Sequence, residues 1–536
     1  MKWIASFALT LAALRQAAAT NSTSCTPRLM SYWINANASI SIVESVDTDG
    51  GFAEEGNIAF PGNVTNLPSL CAVSFIAKTT TGQEYKFGLF LPDDWNEKIL
   101  AVGNDGFSGG INWPAMAVGA RYGFATFATD GGHNSTANNL TWASGSKEVQ
   151  VLFGHQALHG SLQLSQRVVR QYYGLAYKAS FFSGTSNGGR QGLKAAELYP
   201  RDFQALLIGA PAWWQSHLQS WRIALGITNL PTDDAKHISA ENFTVIGDAV
   251  RKQCDAADGV EDSIVSDPNN CTINYDLFTC GQDGVDEKAC LSAEQVTVAK
   301  AVYADYEVNG EVAFPGLTPS SEYEWGSILG DEPNGEAVGY MRNFLYNDTE
   351  WSWSSYNETV LTYANDTNPG QLDATSFNLT QFSSLGGKII MYHGLSDGSV
   401  PPKASQSFYD VIVANSGGDI EAVRGWFRLF FLPGVGHKNT TVNAPWYIAG
   451  PGQAEHIQGG SNSTVTGLSD ANHDALLALQ LWHDEGTAPE SIIATTWTNA
   501  TDPTTEVLRQ RPICPYPATQ KYIGEGDQSK PESFTC

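Results

Sequence analysis

The sequence predicts an α/β fold, a doubly wound and mostly parallel sheet interrupted by one large insertion. Three observations predict it. The stretch 181–193, FFSGTSNGGRQGL, passes from two aromatics suited to a buried strand through Gly184-Thr185-Ser186-Asn187-Gly188 into a helix-compatible segment. Apolar runs of strand length alternate with helical spacing between residues 99 and 211. The alternation stops near residue 213 and resumes at 388 with KIIMYHG, so the sheet is left once and re-entered.

The first 20 residues, MKWIASFALTLAALRQAAAT, carry a basic Lys2, an apolar run over 3–14 and small residues at Ala17-Ala18-Ala19. Residues 1–19 are expected to be an export signal, interrupted by Arg15 and removed. No later segment is long and apolar enough to span a bilayer. The mature protein is therefore expected to be secreted and extracellular. Sequons at Asn134, Asn139, Asn242, Asn347, Asn357, Asn378, Asn439, Asn462 and Asn499 agree, because N-linked glycans need an exported surface. Eight cysteines, oxidised after export, suggest four local bridges: Cys25 with Cys71, Cys254 with Cys271, Cys280 with Cys290, and Cys514 with Cys536. Spacing alone leaves other pairings open. Thirty basic against 56 acidic side chains give a net charge of -26, which repels phosphate backbones and anionic membrane surfaces. Neither nucleic acid nor a membrane is an expected partner.

In chain order, residues 25–96 read as antiparallel strands leading into the fold, with apolar runs at 72–76 and 87–91. A strand from 99 ends in the glycine-rich loop Gly103-Asn104-Asp105-Gly106. Alone this is an ordinary strand-to-helix loop; beside a G-x-S-x-G turn it is where a second backbone N–H would meet an oxyanion. A strand over 123–130 follows, and His133 in the loop behind it is read as solvated. Helical spacing over 149–173 places His155 and His159 as packing or surface residues. In G-x-S-x-G the flanking glycines allow a turn so sharp that Ser186 stands at its apex, in front of a helix N-terminus. The next strand spans 203–208.

Residues 213–385 are expected to form an inserted lid, and 20–212 with 386–536 the catalytic domain. Within the lid, CDAADGVEDSI sets Asp255, Asp258 and Asp262 on one loop bounded by Cys254 and Cys271. Oxygen ligands at that density favour calcium over a transition metal. After the strand at 388–394, Asp397 lies just past a strand end, where the acid of a Ser-Asp-His triad belongs. A helix over 405–414 and a strand over 426–432 lead to Pro433-Gly434-Val435-Gly436-His437. A helix over 473–485 and a strand over 492–497 close the chain. The order Ser186, Asp397, His437, each behind a strand, is the hydrolase order.

With these residues laid out, the chain resembles the fungal tannase and feruloyl esterase family through GTSNGGRQGLKAAELYPRDF with GAPA, CDAADGVEDSIVSDP, YHGLSDGSVPP and LPGVGH. The resemblance implies an α/β-hydrolase fold with a large inserted lid domain, and cleavage of aromatic-acid esters through an acyl-enzyme. It implies Ser186 as nucleophile, Asp397 as acid and His437 as base. An oxyanion hole would come from the N–H of Asn187 and one from Asp105 or Gly106. A structural calcium would be held by Asp255, Asp258 and Asp262 with the carbonyls of Val260 and Ile264. One departure stands out: the family's cysteines directly before the serine and after the histidine are here Thr185 and Lys438.

The expected function is a secreted serine carboxylic-ester hydrolase of feruloyl esterase type, acting on small or polysaccharide-linked aromatic esters. Trp213, Trp214 and the tryptophans around Trp351 are its aromatic candidates for substrate contact. A tannase acting on galloyl esters is the alternative with the same chemistry. A serine peptidase shares the triad order, and a catalytically silent cell-wall or carbohydrate-binding protein is invited only by Thr185 and Lys438.

Overall fold

A computed structural model describes residues 24–34, 37–437, 446–448, 450, 451–454, 456–457 and 465–536. The export signal at 1–19, Lys438 and the sequons at Asn439 and Asn462 lie outside the described residues.

The core is a nine-stranded sheet. Its strands are β1 (Ala38–Val46), β2 (Leu70–Lys78), β3 (Glu84–Pro92), β4 (Lys98–Val102), β5 (Ala125–Thr129), β6 (Ala179–Thr185), β7 (Ala205–Gly209), β8 (Lys388–Gly394) and β9 (Phe427–Leu432). Their spatial order is β1-β2-β3-β5-β4-β6-β7-β8-β9. The first three strands and the junction to β5 are antiparallel, and every pairing from β5 through β9 is parallel. The parallel strands are buried almost throughout, the pattern expected when helices cover both faces. Edge strand β1 alternates half-buried and exposed positions.

Two apolar clusters lie on the two faces of the sheet. One joins Phe182, Leu206 and Ile389 to Leu162 and Val169 of helix α1 (Ala157–Tyr173); the other joins Phe181, Leu207 and Ile390 to the late helix Ala475–Glu485. Strand alternation sends neighbours such as Phe181 and Phe182 to opposite faces. The helical segment before β6 begins at Lys147 and contains one π turn at Leu152–Gln156.

Between β7 and β8 the chain leaves the sheet. Helices α2 (Gln215–Thr228), α3 (Ala240–Cys254) and α4 (Ala293–Tyr303) build a core of their own around Trp221, Phe243 and Trp325. A second cluster combines Tyr340, Met341 and Phe344 of the insertion with Phe107, Leu140 and Phe153 from before β6. The insertion is thus packed against loops that leave the carboxyl ends of β4 and β5.

All eight cysteines pair, Cys25 with Cys71, Cys254 with Cys271, Cys280 with Cys290, and Cys514 with Cys536. The first closes 46 residues and ties the N-terminal segment to β2, a constraint worth about 4 kcal/mol in a chain-entropy account. Among the described residues no helix is long and apolar enough to cross a membrane.

Candidate active site

Ser186 connects β6 to the helix Asn187–Leu198 with φ 59° and ψ -121°, a conformation that non-glycine residues rarely adopt. The surroundings enforce it: the Ser186 N–H donates to Gly209 O at 2.9 Å, and its carbonyl accepts from Arg190 N at 3.1 Å and Ala212 N at 3.0 Å. Close backbone approach explains the glycines. A Cβ on Gly184 would lie 2.6 Å from the Gly188 carbonyl carbon, and one on Gly103 would lie 2.6 Å from Gly188 Cα. The loop after β4 therefore touches the first turn of the helix behind Ser186.

Two strands further along the sheet, Asp397 follows β8, and His437 follows β9. The two loops are joined by Leu395 N to Leu432 O at 2.8 Å and Ser396 N to Val435 O at 2.9 Å. Asp397 is fully buried, and His437 Nδ1 lies 2.7 Å from its Oδ2. A second histidine, His393, reaches the same oxygen with Nε2 at 2.9 Å and also meets Val400 O at 3.0 Å. Both partners are acceptors, so Nε2 carries a proton, while Nδ1 lies 2.7 Å from Ser405 Oγ on the other side of the ring. Asp397 Oδ1 accepts from Ser399 N and Val400 N, both at 2.8 Å. Burial, the largest influence, would raise this carboxyl, but His437, His393 and these bonds together hold it well below the usual carboxylate range.

The other half of the site is the loop Gly103–Gly106. The Asn104 N–H donates to Gln191 Oε1 at 3.0 Å and its side chain to Thr129 O at 2.9 Å, which fixes the loop and commits that N–H elsewhere. Among the described residues the Asn187 N–H, on the first residue of the helix, meets no acceptor. Asn187 Oδ1 accepts from Arg190 Nε at 2.6 Å. Arg190 is completely buried, and burial pulls it down to about 9 although Asp373 opposes this.

Residues of the insertion face these loops. Arg222 pairs with Glu336 at 3.1 Å and donates to Ser399 Oγ at 2.8 Å, while a Cβ on Gly106 would meet Glu336 Oε1 at 2.4 Å. Glu324 accepts the N–H groups of Gly398 and His437, each at 2.9 Å to Oε2. Sequence reasoning did not find Glu324, Arg222, Glu336 or His393; only His393, four residues before Asp397 in YHGLSD, left a local trace.

A strained serine before a helix and a carboxylate–histidine pair on the same sheet edge form an arrangement suited to acyl transfer. A family model for tannase and feruloyl esterase matches residues 71–536. The chain belongs to the tannase and feruloyl esterase family. It is a carboxylic ester hydrolase with an α/β-hydrolase fold. It is 29% identical over 470 residues to a probable feruloyl esterase B-2 of Aspergillus terreus, covering 87% of this chain and 86% of the relative. It is similar to the crystal structure of feruloyl esterase B from Aspergillus oryzae, with a TM-score of 0.87, 25% identity and coverage of 96% and 99%. The structure of a tannin acyl hydrolase from Aspergillus niger, 19% identical with a TM-score of 0.73 and coverage of 94% of each chain, shares the fold.

In this tannase and feruloyl esterase family member, His133 departs from the sequence expectation. It is not solvated: its ring stacks on Trp142 at 3.7 Å, both ring nitrogens are buried without a partner among the described residues, and burial pushes it down to about 3. His155 packs between Tyr199 and Gln371, and His159 bonds Asp202 at 2.7 Å. Trp213 is buried, donates to Ala404 O at 3.0 Å and stacks on Trp214, which stacks on His217. Trp351 stacks on Tyr346 in the insertion.

The aspartate loop folds about Asp255, whose carboxylate accepts from the N–H groups of Asp262, Ser263 and Ile264 at 3.0 to 3.2 Å. Asp258 accepts from Val260 N at 3.0 Å, and Asp262 pairs with Arg511 at 2.7 Å. Burial raises Asp262, Arg511 and Arg509 oppose that, and the charge of Asp258 adds to it. Among the described residues the oxygens of the three carboxylates do not all lie within 4.8 Å of one another.

Proposed function

We propose that the chain is a secreted serine esterase that releases hydroxycinnamic acids such as ferulate from their esters. The supporting observation is the pairing of buried Asp397 with His437 at 2.7 Å, on the sheet edge where Ser186 occupies its strained turn. With Nδ1 donating to Asp397, neutral His437 has its lone pair on Nε2, the nitrogen required to take the Ser186 proton. Ser186 attacks the ester carbonyl, and the N–H of Asn187 with that of Asp105 or Gly106 receives the oxyanion. The imidazolium then protonates the departing alcohol, and water releases the acid from Ser186 by the same steps. The ionised Asp397 stabilises the imidazolium and fixes its tautomer.

The likeness to proteins named feruloyl esterase B, over nearly the full chain, supports a feruloyl rather than a galloyl substrate. Initial rates with methyl ferulate and methyl gallate test this. At least a tenfold higher kcat/KM for ferulate is expected, and preference for gallate would move the protein to the tannase reading. Exposed side chains at Asn139, Asn347, Asn357, Asn378 and Asn499 suit N-linked glycans on an exported protein.

We also propose a structural calcium in the insertion, held by Asp255, Asp258 and Asp262 with the carbonyls of Val260 and Ile264. The donors are all oxygen, and the like charges of Asp258 and Asp262 on a half-buried loop are what a divalent cation would relieve. Exhaustive chelation is expected to lower Tm by several degrees and leave kcat below the transition nearly unchanged. Identical melting before and after chelation would remove the calcium from this account.

A further inference from the structure

We propose that Glu324 is a positioning residue that holds the base and acid loops in catalytic register, and that docking of the insertion thereby completes the site. The inference rests on His437 and Asp397 acting as base and acid. The Glu324 carboxylate accepts the N–H of His437 at 2.9 and 3.1 Å and the N–H of Gly398, next to Asp397, at 2.9 Å. One charged group thus bridges both loops through the backbone, and hydrogen bonds to an ionised acceptor are stronger than neutral ones.

The segment that carries Glu324 is itself fixed on both sides. Towards the sheet, Thr318 Oγ1 donates to Leu395 O at 2.5 Å, and Ser320 Oγ meets Ser396 Oγ at 2.5 Å. Towards the insertion, fully buried Glu322 accepts from Tyr303 Oη at 2.5 Å and from Ser320 N at 2.9 Å. Gly398 has no room for a side chain: a Cβ there would lie 2.6 Å from Glu324 Cβ and 2.8 Å from Ser321 O. The disulfides consume all eight cysteines away from these loops, so none ties the base loop to the acid loop.

A small displacement of a catalytic group costs large factors in rate while leaving substrate contacts intact. Glu324→Ala is expected to lower kcat on methyl ferulate by about 10- to 100-fold with KM within about twofold. The acid limb of the kcat/KM profile should also move to lower pH, because the carboxylate bound to the main chain of His437 favours its protonated ring through charge. Glu324→Gln keeps the shape, but with its amide oxygen in the place of Oε2 its NH₂ faces the His437 N–H that Oε1 now meets at 3.1 Å, and the charge that strengthens both bonds is gone, so it should lose at least about fivefold in kcat and should fold even where the alanine variant does not. Ser186→Ala is assayed in parallel. An inactive Ser186→Ala beside fully active Glu324 variants would overturn the role of Glu324 alone. A fully active Ser186→Ala would overturn the underlying triad. Loss confined to KM, or an unmoved acid limb with loss that follows Tm, would make Glu324 merely structural and also overturn the proposal.

Discussion

Replacing Ser186 with alanine is expected to lower kcat for an aromatic methyl ester by about 10⁴- to 10⁶-fold, the range seen when a hydrolase loses its nucleophile. The side chain deleted is one hydroxyl at a turn set by main-chain bonds to Gly209, Arg190 and Ala212, so the fold has no reason to change. Tm should stay within about 2 °C of the wild type. A glycine variant separates chemistry from strain. At φ 59° and ψ -121° any Cβ-bearing residue stores about 1–3 kcal/mol, which glycine largely releases. Ser186→Gly should therefore be as inactive as the alanine variant and melt about 1–3 °C higher. Initial rates and thermal melts of the three proteins decide the matter: retention of more than about one hundredth of the activity by Ser186→Ala would assign the nucleophile to another residue.

The parallel strands were legible because each is buried on both faces and reads as a short apolar run. The strand at 388–394 and that at 492–497 carry the bounds expected from sequence. β1 was visible only as part of a strand-rich region, since an edge strand exposing Ser39, Ser41 and Glu44 offers no such run. The π turn at Leu152–Gln156 adds no residue type that a helix would not also hold. In the site, Ser186, Asp397 and His437 stood out because strand-end position and local glycines mark them. The residues that support them do not share that mark. Glu324 meets His437 across 113 positions of chain, and Arg222 meets Ser399 across 177, so neither spacing nor composition announces them. His133 was misread for the same reason: the ring that buries it, Trp142, folds back from a separate 3₁₀ turn.

Asp397→Asn should be the second most damaging substitution, with kcat reduced by about 10⁴-fold and KM changed only a few-fold. The carboxylate is enclosed by four donors: the ring N–H groups of His437 and His393 on Oδ2, and the N–H groups of Ser399 and Val400 on Oδ1. An asparagine has one oxygen for these four. Backbone N–H groups cannot change their proton, so the amide oxygen stays with Ser399 and Val400 and the NH₂ faces the two rings, where the less confined of them, His437, relieves the clash by placing its proton on Nε2. That tautomer cannot accept from Ser186. Stability falls as well, by about 1–3 kcal/mol, because the buried His393 N–H loses its charged acceptor and keeps only Val400 O. The pH dependence identifies the cause. The folded carboxyl sits well below its ordinary value of 3.8, so its stabilising contribution is complete above about pH 4 and is lost as pH falls towards the folded value. The Tm gap between wild type and Asp397→Asn should accordingly be constant from pH 5 to 7 and narrow below about pH 4; a gap that persists unchanged at pH 3 would show that the carboxylate charge is not what holds the two histidines in place.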